Sequence, residues 1–178
     1  MIILGISLGT ATTGIAVLDG GELVFWHTHS FRDRWSSKKA TKIASCYEAY
    51  VSQYKPYVVL IKVPPIHHHT AAIKQLLKKA STVFEYHGCM VEYKTKEDVK
   101  AVMQGVHNHN DLMKYAIAQY PILEEEYTQA LATKQQYHAK VFDAVMVAHH
   151  GKIKLRNKSA KTTSQNRIRE NNLAGDHK

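Results

Sequence analysis

Apolar residues near the start of the chain fall in short unbroken runs, and further on they recur every three to four positions. Ile2, Ile3, Leu4 and Ile6 predict a buried strand, followed by a turn rich in Gly and Thr and a second strand over residues 14–18. Asp19-Gly20 is a two-residue hairpin signal, with a third strand over residues 22–27. After the polar turn Arg32-Asp33-Arg34-Trp35, Ser36 or Ser37 can cap a helix whose apolar face is Ile43, Tyr47, Tyr50, Val51 and Tyr54. Lys55-Pro56 ends that helix. Residues 57–61 are apolar at every position, as expected of a central strand covered on both faces. Lys62 stands at its carboxyl end, and Pro64-Pro65 stops it.

His67-His68-His69-Thr70 leads into a helix with Ile73, Leu76, Leu77, Ala80, Val83 and Phe84 on one face and Gly88 as its C′ residue. Residues 89–93 predict a fifth strand. Thr95-x-x-Asp98 predicts a capping box and a short helix through Met103. A polar loop over 104–110 precedes helices over 111–120, from Pro121 through Ala132, and over 138–150. The last buries Val141, Phe142, Ala144, Val145 and Ala148. From Gly151 onward the sequence is polar, basic and aperiodic, which predicts a flexible tail. The order describes an α/β fold: a mixed five-stranded sheet, three antiparallel strands and then parallel αβ units, with helices on both faces. Residues 1–150 form one domain, and residues 151–178 the tail.

Composition changes this picture in two places. The net charge of +9 over 178 residues is concentrated at the carboxyl end, where residues 152–178 carry eight Lys/Arg against two Asp/Glu. Such a tail suits a polyanion, most often nucleic acid. No apolar run approaches the roughly 20 residues that span a bilayer, and the amino terminus has neither a basic n-region nor a small-residue cleavage site. Two cysteines, Cys46 and Cys89, make no disulfide framework and read as reduced thiols. A cytoplasmic protein without a membrane partner is the expectation.

Four stretches together carry a resemblance: ILGISLGTATTGIAV, KPYVVLIKVPP, EYKTKEDVKAVMQG and HAKVFDAVMVAHH. In this order and spacing, over about residues 2–150, the chain resembles the RuvC-type Holliday junction resolvases of the ribonuclease H-like superfamily. The resemblance implies a ribonuclease H-like fold, DNA as partner, a homodimer, and cleavage by two divalent cations held by four carboxylates. Carried over, the acid positions fall on Ser7, Lys62, Lys140 and Asp143, so only Asp143 is retained. The family's Gly-x-Gly is half kept, as Gly105 with His107. One carboxylate against two ammonium groups no longer attracts a metal and suits a phosphate better.

Other constellations are weaker. The tract His67-His68-His69, and pairings such as His69 with His138 or His107 with His109, match no zinc spacing and have no Cys pair beside them. A Ser/His/Asp triad from Ser7, a histidine and Asp143 lacks a nucleophile-elbow motif. The turn over residues 9–13 resembles the phosphate loop of actin-like and sugar kinases, which need two domains. Trp26, Phe31 and Trp35 around Arg32 and Arg34 suit either stacking on nucleic acid or core packing.

The expectation is therefore a nucleic-acid-binding, RuvC-like protein inactive as a nuclease, with no cofactor. Its predicted nucleic-acid contacts are Arg32, Arg34, Lys62, Lys100, Lys140, Lys152, Lys154, Arg156 and Lys158. The alternatives are a pseudo-enzyme subunit that binds a protein, and an active Mg²⁺-dependent junction endonuclease with a rearranged site drawing on Asp143, Asp19, Glu92 or histidines. The resemblance also places the Lys62 ammonium against Asp143, with Ser7 in hydrogen-bond reach.

Overall fold

The computed structural model describes residues 1–133 and 136–174, and side chains over 1–133 and 137–157. The first apolar run becomes β1 (Ile2–Ser7), the middle strand of a five-stranded sheet. β2 (Thr12–Asp19) and β3 (Glu22–Ser30) pair antiparallel with it in turn. Gly20 and Gly21 (φ 58° and 98°) make the turn between them, one residue later than the Asp19-Gly20 signal suggests. The reason is conformational: this two-residue turn needs positive φ at both positions, and Gly20-Gly21 supplies it without a Cβ.

On its other side β1 pairs parallel with β4 (Val58–Lys62), and β4 with β5 (Met90–Lys94), which gives the order β3-β2-β1-β4-β5. This is the expected mixed sheet. Both faces of the central strands are covered, which explains their unbroken apolar runs. Leu4, Ile6, Ile15, Val17, Val59 and Ile61 pack against α1 (Ser37–Tyr54) and α2 (Ala71–Tyr86). Ile3, Ala16, Leu18, Val58 and Leu60 belong to the opposite core, closed by the long helix α6 (Gln136–Ala174).

Local signals account for most helix ends. The Ser36 side chain accepts the Lys39 N–H at the start of α1, which stops at Lys55 in a left-handed conformation (φ 48°). Thr70 caps α2, and Gly88 follows it at φ 65°. Thr95 and Asp98 form the predicted capping box of α3 (Lys96–Lys100). A second capping box, Asn108 with Asp111, starts α4 (His109–Gln119) two residues before the predicted boundary. A 3₁₀ turn, Pro121–Leu123, and α5 (Glu124–Thr133) complete the layer before α6.

Two strand glycines let α6 sit directly on the sheet. A Cβ on Gly5 would lie 2.2 Å from the Ala144 carbonyl oxygen, and one on Gly14 only 2.0 Å from that of Lys140. The helix runs antiparallel to β1, from Lys140 beside Gly14 to Gly151 beside Leu60 and Ile3. The sequence pattern predicts its end at His150; the helix instead continues to Ala174. Past Leu155, which still packs against the opposite core, no apolar stripe in the sequence marks this extension. Among the described residues no helix is long and apolar enough to cross a membrane.

His149 and His150 of α6 are buried, at 4% and 1% exposure. The Tyr120 hydroxyl lies 2.9 Å from His149 Nδ1. Burial, reinforced by Lys152 and His150, lowers the His149 pKa to about 4. His150 is lowered too, chiefly by burial and then by Lys154 and Lys94, with Asp98 and Glu92 opposing. A histidine depressed in the folded state takes up its proton first in the unfolded chain. The His149 contribution is therefore complete above about pH 6.5 and is lost as pH falls toward 4, at about 1.4 kcal/mol per unit, and His150 acts in the same direction. Urea unfolding at pH 7 and pH 5 is expected to show this loss, with a smaller drop in His149→Gln. Equal stability at both pH values would contradict it.

Candidate nucleic-acid interface

The carboxyl ends of β1, β4 and β5 bring Ser7, Lys62 and Lys94 into one register row. α6 crosses this end of the sheet and sets Lys140 and Asp143 over it. The Lys62 Nζ lies 2.6 Å from Asp143 Oδ2, with side-chain exposures of only 18% and 12%. Ser7 Oγ, buried, donates to the same carboxylate oxygen at 3.4 Å. The approach of Lys62 to Asp143 expected from the resemblance is thus present, and Ser7 joins it.

Lys140 Nζ donates to the Leu8 carbonyl at 3.2 Å and to Ser7 Oγ at 3.4 Å. Burial lowers the Lys140 pKa; Asp143 opposes that shift and Lys62 adds to it. Lys94 is occupied by Glu92 of its own strand, at 2.7 Å. A cleft of about 390 Å³ opens at this end, lined by Ser7, the turn at residues 8–12, Lys62, residues 63–65, Ile73, Lys96 and Lys140.

One residue at the site has no signal in the sequence. His109, at the start of α4, places its Nδ1 4.0 Å from Asp143 Oδ1, while its Nε2 is buried without a partner among the described residues. Burial lowers its pKa against the pull of Asp143. Ser7, Asp143 and His109 therefore meet, but with the carboxylate in the middle. A relay in which histidine takes the serine proton needs the histidine there, so this is not a hydrolase triad.

The ligands envisaged for a rearranged metal site do not converge. Asp19 lies at the opposite end of β2, 3.5 Å from the Met1 amino group, and Glu92 is tied to Lys94. His69 contacts the Pro64 carbonyl and His138 lies near Glu126. Among the described residues no three His, Cys, Asp or Glu side chains group as a metal cage. At Ser7, Lys62, Lys140 and Asp143 the side chains present do not fit a divalent cation. The one carboxylate already has an ammonium at 2.6 Å, and a second ammonium lies 3.4 Å from Ser7 Oγ.

The predicted nucleic-acid contacts separate into two groups. Lys62 and Lys140 are at the cleft. Arg32 and Arg34 are exposed just past Phe31, whose N–H bonds the Ala11 carbonyl of the cleft turn. Lys100 bonds the His107 carbonyl on the loop before α4. Lys152 instead bonds the Gly21 carbonyl at the far end of the sheet and lies over the Tyr120 ring. Lys154 and Arg156 are exposed beyond it, on the helix leading away from the cleft. The side chain of Lys158 lies outside the described residues. Phe31 is buried, and Trp26 and Trp35 pack against the two cores. Packing therefore accounts for these aromatics.

No family model matches the chain, and no curated protein does. Among the solved structures that are similar, two are of RuvC. The structure of T. thermophilus RuvC in complex with Holliday junction substrate aligns with a TM-score of 0.70 at 14% identity, covering 89% of this chain and 96% of that one. The Thermus thermophilus RuvC structure gives 0.64 at 13%, covering 86% and 96%. The three antiparallel strands, the two parallel additions and the flanking helices are accordingly the ribonuclease H-like fold of RuvC.

Proposed function

We propose that this protein binds nucleic acid at the cleft end of its sheet and does not cut it. The observation that carries this reading is the Lys62–Asp143 contact of 2.6 Å. It puts an ammonium against the one acid retained at the family's metal-binding positions. With the Lys140 ammonium also at Ser7, two cations stand near one carboxylate, a balance that disfavours a metal ion and favours a phosphate. The fold supports the choice of partner, since a similar structure is that of RuvC with a Holliday junction. The exposed basic residues of α6 add non-specific charge at the opposite end.

A four-way DNA junction incubated with the protein and Mg²⁺ or Mn²⁺ is expected to remain intact. Metal-dependent nicking that disappears in Asp143→Asn would overturn the reading. Deleting residues 152–178 is expected to weaken DNA binding and flatten its dependence on salt, by about one unit of slope for each phosphate no longer neutralised. An unchanged slope would assign the basic end of α6 to solubility alone.

A further inference from the structure

We infer that the cleft is a metal-free phosphate subsite, in which the ammonium groups of Lys140 and Lys62 hold a phosphate oxyanion beside the turn at residues 9–12. This rests on the nucleic-acid reading above and names the group that the cleft takes. Three lysines and, among the described residues lining it, no acid border the cleft. Lys62 has a carboxylate partner. Among the described residues, Lys140 has only neutral acceptors, Ser7 Oγ and the Leu8 carbonyl, in hydrogen-bond contact. An ammonium has three donors, so one remains for a ligand. A half-buried ammonium bonded only to neutral groups is costly, and an oxyanion in the cleft offsets that cost.

Gly9 keeps the approach open. A Cβ there would lie 3.4 Å from Lys140 Nζ and 2.2 Å from the Thr12 carbonyl oxygen. Any side chain at residue 9 would clash with the turn's own backbone and stand in contact with the ammonium. The cleft, at about 390 Å³, falls within the usual range of small-ligand sites, about 300–1,000 Å³. The chemistry is that of a phosphate held by charge-assisted hydrogen bonds, with ammonium groups in the positions where the fold's nucleases use metal-binding acids.

The shared chemistry fits an internal phosphodiester or a terminal phosphate, and one experiment separates them. Full-length protein in EDTA is titrated with a single-stranded oligonucleotide, with and without a 5′-phosphate, as wild type, Lys140→Met and Lys79→Met. Lys140→Met is expected to weaken binding about tenfold and lower the salt slope by about one, with Lys79→Met unchanged. An equal loss on both oligonucleotides identifies the phosphodiester, and a loss only on the phosphorylated one the terminal group. Wild-type affinity and slope in Lys140→Met, with DNA still bound, would overturn the subsite and leave the nucleic-acid reading standing. No oligonucleotide binding by wild type would overturn that reading instead. Should Lys140→Met fail to fold, acylation of Lys140 in the wild-type protein takes its place. Protection by inorganic phosphate supports the subsite, and unprotected labelling at saturating phosphate counts against it.

Discussion

Replacing Asp143 with alanine is expected to destabilise the protein by about 3–5 kcal/mol, the cost of leaving buried charge without its partner. Asp143 accepts from Lys62 at 2.6 Å and from Ser7 at 3.4 Å, and it also faces His109 at 4.0 Å. Without it, Lys62 loses its carboxylate partner while the Lys140 ammonium remains at Ser7. Lys62→Ala removes the cation instead and leaves Asp143 the Ser7 hydroxyl, so its cost is expected to be smaller, about 1–3 kcal/mol. Urea unfolding of the three proteins checks the order. A loss below about 0.5 kcal/mol for Asp143→Ala, the size of a neutral surface change, would mean that the contact is too solvated to matter.

A second large effect is expected at Gly14. The added methyl of Gly14→Ala would fall 2.0 Å from the Lys140 carbonyl oxygen, and that of Gly5→Ala 2.2 Å from the Ala144 carbonyl. Both neighbours are helix backbone, so the strain is relieved only by lifting α6 from the sheet. Overpacking of this kind costs about 1–3 kcal/mol and at times more, and these contacts belong at the upper end. Because α6 carries Lys140 and Asp143, the same displacement is expected to loosen the Lys62–Asp143 contact. Gly88→Ala is the comparison: nothing lies within 4 Å of its added carbon, and only its φ of 65° opposes the change. Equal unfolding midpoints for Gly14→Ala and wild type would contradict the close packing.

The same glycines explain why so much of the fold is legible in the chain. Gly5 and Gly14 sit within ILGISLGTATTG because two strands there have no room for side chains beneath a helix. The unbroken apolar run before Lys62 announces a strand buried on both faces, and the Thr95 and Asp98 side chains write their own helix start. The features hidden from the sequence depend on residues far apart in the chain. His109 is one of twelve histidines, and nothing near it in the chain marks its approach to Asp143. Asn108 caps α4 through Asp111, but the polar surroundings resemble loop. The extension of α6 past His150 carries no apolar periodicity in the sequence, so the hydrophobic pattern gives no sign of it. The separation of the basic residues into two groups follows from the direction of α6, which composition does not reveal.

Binding of a four-way DNA junction in EDTA, measured across salt concentrations and repeated in Mg²⁺, tests the central claim most directly. An ammonium-based site predicts binding in EDTA, an affinity that falls steeply with salt, and no specific gain from Mg²⁺ beyond its screening. Binding that appears only with Mg²⁺ and is lost in Asp143→Asn would show instead that Asp143 holds a metal and that Lys62 yields its place to it.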